Sequence, residues 1–274
     1  MDDKFAARFY EDNLLVRLKR AEDNIALLQK LGIALQTIDN RVCSFDTKIG
    51  LVLSNNGSDA NNDIDIAAGY CRNSADTENI VSTTAATKQL DAAWAAGTGA
   101  GGLFSGSKAN STWYHVFVIM DANGGIDWGF DTSVTAANKP TDYIYHRRIG
   151  SIRTNSSGNI IAFKEYASRV MWTASVLDLN GGNQTSPTSF TATVPPGLKV
   201  CAIGNGQNGS AGNAIYIFDP DNASANFVSA YGAGSVVVPG NQNILSNASS
   251  QLRYYVSGGV GSWYTYGWEE LWQI

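Results

Sequence analysis

The sequence predicts a mainly β protein: an antiparallel β-sandwich or jelly-roll-like body preceded by an N-terminal coiled-coil α-helix. Three observations predict it. From residue 43 onward, apolar residues alternate with polar ones or gather in short runs. Glycine supplies 28 of the 274 residues and recurs in Asn123-Gly124-Gly125, Ser157-Gly158-Asn159 and Ser257-Gly258-Gly259, which read as tight turns. Residues 5–42, by contrast, hold no proline and a single glycine, Gly32, and space their apolar residues by threes and fours.

The helical segment comes first. Leu14, Leu18, Ala21, Ile25, Leu28 and Leu35, with Gly32 interrupting, follow a heptad seam of period 3.5 rather than the broader stripe of a globular helix. With Leu14 at d, Leu18 and Ile25 fall at a, and Ala21, Leu28 and Leu35 at d. A second apolar row (Leu15, Leu27, Leu31, Ala34, Ile38) widens the face and favours three or more strands over two, or docking on a body. A lone helix of this length gains little from propensity and needs partners for that face. Residues 1–42 therefore read as a trimeric coiled-coil stem. The alternative is a helix packed on its own domain.

Residues 43–274 read as the β head. Strands are expected at 64–67, 112–120, 126–130, 143–153, 159–166, 169–178, 190–194, 199–203, 214–218, 235–238, 252–257 and 262–268. Spacings of 8 to 15 residues with turn signals between suit an antiparallel sandwich. One short helix is expected at 84–96, where TAATKQLDAAWAA is alanine-rich and closed by Gly97. The head can be divided near residue 178. Without strand–helix alternation, a doubly wound parallel sheet is disfavoured.

Composition narrows the function. Charged residues are 16% against roughly 25% in an average chain, and the net charge is −5. That balance argues against a nucleic-acid binder, which carries a basic face. No run of 18 apolar residues suggests membrane insertion, and the start, Met1-Asp2-Asp3, does not read as a signal peptide. Cys43, Cys71 and Cys201 are odd in number and widely spaced, which reads as reduced, mostly buried thiols in a chain made in a cytoplasm.

Catalytic and cofactor motifs mostly fail. Gly204-Asn205-Gly206-Gln207-Asn208-Gly209 matches GxGxxG after an expected strand, but another strand follows where a dinucleotide site needs a helix N-terminus. It reads as a flexible hairpin loop. His115 alternates within a strand and His146 precedes Arg147-Arg148, too little for a histidine metal site. Asp59 to Asp65 resembles the start of a calcium loop, but Ile64 stands where glycine is needed and Tyr70 where a glutamate is needed. Paired carboxylates could serve a glycosidase, yet nothing singles out a pair among Glu165, Glu269 and Glu270. No catalytic residue, metal or cofactor is expected.

The most unusual feature is the aromatic cluster Trp263, Tyr264, Tyr266, Trp268 and Trp272. In a regular strand Tyr264, Tyr266 and Trp268 share one face, with Trp263 and Thr265 on the other. One face is core. The other can present rings to a sugar, so Trp263, Tyr264, Tyr266 and Trp268 are the candidate ligand-binding residues, against the plainer alternative of core or subunit contact.

The segment 79–110 (NIVSTTAATKQLDAAWAAGTGAGGLFSGSKAN) with Ser111 to Phe117 resembles modules of bacteriophage and prophage tail-fibre-type structural proteins. Gly129 to Ser133 and the run Arg147 to Ile160 with Phe163 resemble the same module, so the likeness spans about 64–172. The resemblance implies a virion protein without catalytic residues: a tail fibre or receptor-binding tip on the particle surface. Its expected partners are two further copies of itself, other virion proteins through the N-terminal helix, and a host-surface glycan or protein. The alternatives are a head fibre, decoration or baseplate protein and, less favoured, a polysaccharide depolymerase.

Overall fold

The computed structural model describes residues 16–30, 48–184, 186–210, 212–221, 229–232 and 242–271. The chain divides into two compact units, Met1–Phe45 and Asp46–Ile274. In the first, residues 16–30 form a helix, α1, whose side chains are all exposed. Leu18, Ala21, Ile25 and Leu28 lie on it, while Leu14 and Leu35 fall outside the described residues.

The second unit is built from strands. A three-stranded sheet joins β1 (Lys48–Gly50), β4 (Gly69–Arg72) and β5 (Asn79–Ser82) in the order β1-β4-β5. A seven-stranded sheet contains β2 (Leu53–Asn55), β3 (Asp63–Ile66), β6 (Ala86–Ala93), β7 (Ala100–Leu103), β8 (Trp113–Met120), β9 (Ile126–Asp131) and β10 (Tyr145–Arg153). Its order is β10-β8-β9-β7-β6-β3-β2. The expectation of purely antiparallel pairing is corrected here, because β7 runs parallel to both β6 and β9.

The remaining strands are β11 (Phe163–Tyr166), β12 (Arg169–Gly182), β13 (Thr188–Thr191), β14 (Val200–Asn208), β15 (Asn213–Phe218), β16 (Ser229–Gly232), β17 (Gln242–Leu245), β18 (Gln251–Val256) and β19 (Val260–Glu270). They form two antiparallel sheets, β11-β12-β19-β14-β17 and β13-β18-β15-β16. Counting β12 to β19 as one to eight, the sheets run 1-8-3-6 and 2-7-4-5. Successive strands therefore alternate between sheets except β15 and β16, which pair as a hairpin within one sheet. Apolar side chains from both, among them Leu179, Phe190, Ile215, Ile217, Leu252, Val256 and Trp263, belong to the same buried core as Leu53, Ile66, Val116 and Phe130 of the seven-stranded sheet.

Three expectations are overturned by tertiary context. The segment expected as a helix at 84–96 is strand β6. Ala86, Lys88 and Leu90 are buried on alternate positions, and pairing with β3 on one side and β7 on the other outweighs alanine's helix preference. The ammonium of Lys88 is enclosed, donating to the Ala95 and Gly97 carbonyls at 2.7 and 3.0 Å and pairing with Asp127 at 2.9 Å. It thereby fixes the chain just after β6. The division near 178 also fails: Asp178 lies within the continuous strand β12, and the change of sheet comes earlier, between β10 and β11. Finally, most of the GxGxxG match is not a loop. Gly204 to Asn208 lie inside β14, because a Cβ on Gly204 would stand 2.3 Å from the Trp263 indole and 2.5 Å from the Tyr264 carbonyl. Glycine is there to let the neighbouring strand's tryptophan lie against the backbone. The strand expected at 235–238 lies outside the described residues.

This close approach separates Gly204 from Gly206, two glycines that the GxGxxG pattern would treat alike. Gly204→Ala should cost about 1–3 kcal/mol through overpacking, as read by urea unfolding. Gly206→Ala, whose Cβ would meet Ile215 and Ile217 at 3.5 and 3.6 Å, should cost less than half as much.

Candidate functional site

The aromatic cluster at the C-terminal end divides by face, though not as simple alternation requires. Opposite β14, Thr265 pairs with Gly204 and Gly267 with Ile203, which leaves Tyr266 as an extra residue. This β-bulge shifts the alternation by one. Trp268 therefore joins Trp263 and Thr265 on the buried side, and only Tyr264 and Tyr266 remain half-exposed. The expectation that Trp263 and Trp268 contact ligand is corrected: both indoles are wholly buried. Trp272 lies outside the described residues.

Each tryptophan has an interior role. Trp268 stacks at 5.2 Å from Trp172 and 5.5 Å from Trp113, and Trp113 lies 5.9 Å from Trp172. The Trp263 Nε1 donates to Thr265 Oγ1 at 2.9 Å, and Thr265 Oγ1 in turn donates to Asp178 at 2.5 Å. Asp178 also accepts from the backbone and hydroxyl of Thr193.

What faces outward is a small tyrosine surface. Tyr264 is flanked in register by the exposed Leu177 on β12 and by Asn205 on β14, which is itself buried, and Ser262 by Asn180 and Gln207, which supply the accessible amides. Rings, an exposed leucine and amides on one sheet face suit a ligand with apolar CH faces and hydroxyl edges.

A second arrangement was not anticipated from the sequence. Ser151, His115 and Asp131 are register partners in a row across β10, β8 and β9. His115 Nδ1 lies 2.9 Å from Ser151 Oγ. These are the residue types of a hydrolytic triad, but their bonds are otherwise arranged. Asp131 accepts from the Ser133 and Asn138 backbones and from the Asn138 amide, closing the loop after β9. Ser151 Oγ accepts from Arg148 Nη1 at 3.1 Å, leaving its own proton for His115. All three are 1–2% exposed, so no substrate carbonyl reaches the hydroxyl. Burial, aided by Arg148 and opposed by Glu270 and Asp131, pushes the His115 pKa down to about 4.

Glutamates 165 and 270 are likewise interior. Glu165 pairs with Lys48 and accepts from the Leu53 backbone at 2.7 Å. Burial pushes its carboxyl upward despite Lys48. Glu270 is held by both guanidinium nitrogens of Arg148 and by Trp268 Nε1. Burial acts to raise its pKa, but Arg148 and the Trp268 bond outweigh it and hold the carboxyl below its usual range. Both carboxylates are thus committed to cations inside the protein. The Asp59–Asp65 segment closes on itself: Asn56 Oδ1 accepts from the Ser58 and Asp59 backbones, and Asp59 accepts from Asn62. Among the described residues no group of three or more His, Cys, Asp or Glu side chains is placed to hold a metal.

Compared with known proteins, the chain matches no protein family, no curated protein and no solved structure.

The buried histidine gives a pH signature. With a folded pKa near 4 against an ordinary 6.5, His115 binds its proton more readily in the unfolded chain, so stability falls as pH drops below 6.5, by at most about 3 kcal/mol near pH 4. His115→Asn should therefore lose less stability than the parent between pH 7 and pH 4, measured as urea midpoints. A parent-to-variant gap that stays constant with pH would contradict the assignment.

Proposed function

We propose that the protein is a virion surface component of the bacteriophage tail-fibre type, a trimer whose β body recognises a host-surface glycan or protein. The observation that carries this reading is α1. Leu18, Ile25 and Leu28, all on the heptad seam, are 52%, 56% and 67% exposed in a single chain. Three seam residues left in water on one helix are a cost that sister helices remove. Leu27 and Val16 are also more than half exposed and widen the surface, as a three-stranded rather than two-stranded coil needs.

The body supports the same reading. The order 1-8-3-6 facing 2-7-4-5 is that of a jelly roll, an architecture used by capsid and lectin domains. The half-exposed Tyr264 and Tyr266 lie on its outer face. Three weak sites on one stem act at high effective concentration, so modest single contacts suffice to hold a cell. The likeness of residues 64–172 to tail-fibre modules points the same way, and the N-terminal helix would also join the protein to other virion parts. No described helix is long and apolar enough to cross a membrane.

Light scattering on the full chain and on a Leu18→Asp/Ile25→Asp variant tests the stem. A mass of three chains that falls to one in the variant is expected, and a monomeric parent would refute the trimer. Binding of the trimer to host cells should be reduced at least tenfold by Tyr264→Ala/Tyr266→Ala. A trimer that binds no host cell would instead favour a head fibre, decoration or baseplate role.

A further inference from the structure

We propose that the outer face of β2, β3 and β6 carries a second binding site, for a neutral saccharide, separate from the Tyr264/Tyr266 surface. This goes beyond the virion reading and holds whatever particle or cell the chain serves.

The site is an open groove of about 410 Å³, within the ~300–1,000 Å³ range of small-molecule sites. Its floor consists of two adjoining rows set by strand register. Ser54, Asp65 and Thr87 are direct partners across β2, β3 and β6, and Thr98 continues the row by accepting from the Thr87 backbone at 2.9 Å. Two residues along each strand, on the same face, come the small apolar side chains Val52, Ala67 and Ala85. The Ala67 backbone donates to the Val52 carbonyl at 2.9 Å, which holds that second row together. A polar rail beside an apolar shelf matches a pyranose, which has hydroxyls at its edge and CH groups on its face. The shelf is sunken because two of its three residues are alanines.

The polar rail is set in advance. Asp65 Oδ1 accepts from Asn56 Nδ2 at 2.7 Å and from Thr87 Oγ1 at 2.6 Å. Both bonds fall on one oxygen, which fixes the carboxylate plane and leaves Oδ2 to accept from a ligand. Thr98 Oγ1, already an acceptor, has its own proton to donate, and Ser54 can do either. One charged acceptor beside hydroxyl donors reads adjacent ligand hydroxyls.

Charge selects against other classes. Asp63, next to this row on β3, has its carboxyl pushed up by burial and by Asp59, Asp91 and Asp65, which together outweigh the opposing Lys108. Phosphates, nucleotides and acidic sugars are repelled there. A metal ion finds a single carboxylate in the groove, too few ligands to hold it.

The test is saturation-transfer and shift-perturbation NMR on the full chain with methyl glucoside, methyl galactoside, methyl mannoside and N-acetylglucosamine, beside inorganic phosphate and a short alkyl diamine. At least one neutral sugar should bind in the millimolar range, with phosphate silent. Asp65→Asn should weaken it at least tenfold, and Ala85→Phe, which fills the shelf from an exposed position, should abolish it. Val81→Ala, at an exposed position outside both surfaces, should leave it unchanged. Binding of the diamine in place of sugars, or no sugar binding at all, would overturn the site. Sugar binding lost in Tyr264→Ala but kept in Asp65→Asn and Ala85→Phe would also overturn it, while leaving the tyrosine surface and the virion reading intact.

Discussion

The body of this protein is held together by one junction, where Trp113 from the seven-stranded sheet meets Trp172 and Trp268 from the five-stranded one. Three indoles with centroids 5.2–5.9 Å apart contribute a large apolar area, with Trp113 and Trp268 edge-to-face and the other two pairs tilted. Around them sit ion pairs that cross the same boundary, Lys48 with Glu165 and Arg148 with Glu270, and Arg153 Nη1 donates to Thr193 at 3.0 Å. Buried pairs of this kind are weak sources of net stability, because desolvation offsets attraction. A charge left unpaired in this interior is costly, so loss of either partner of a pair would be strongly destabilising.

That junction also accounts for the burial of the residues with the most chemical appearance. Ser151 and His115 lie next to Arg148, whose guanidinium spans from Ser151 to Glu270. The row completes the polar side of the junction, and its burial keeps His115 neutral at ordinary pH. The surfaces that remain available are the outer faces of the sheets, where strand register sets side chains in flat rows. Flat rows of mixed polar and apolar groups suit extended, weakly bound ligands.

Much of the fold is legible in the sequence because strong alternation survives any tertiary context. Strands β3, β8, β9, β10, β15, β18 and β19 lie where Ile64, Trp113 to Met120, Ile126 to Phe130 and similar runs indicate, and Gly124, Gly158 and Gly259 adopt positive φ at the expected turns. The short strands β1, β2, β4, β5 and β7 carry too few β-branched or aromatic residues in a row to be seen. Strand β6 is hidden by alanine and by Lys88, whose burial depends on Asp127, 39 positions away. The site was half legible. Aromatic content located Tyr264 and Tyr266, but the bulge at Tyr266 that sends Trp268 inward depends on a register with β14 that one strand's sequence does not contain. The Ser54–Asp65–Thr87 row was invisible for the same reason: three ordinary polar residues become a row only when three strands pair.

If the tryptophan junction binds both sheet systems into one cooperative body, they must open together. Native-state hydrogen exchange across a urea series, read by mass spectrometry on peptides from β8–β9 and from β14–β15, measures this directly. The same opening free energy and the same urea dependence are expected in both sets of peptides. Opening of one set at markedly lower free energy, with the other still protected, would show two independent bodies and contradict the junction's central place.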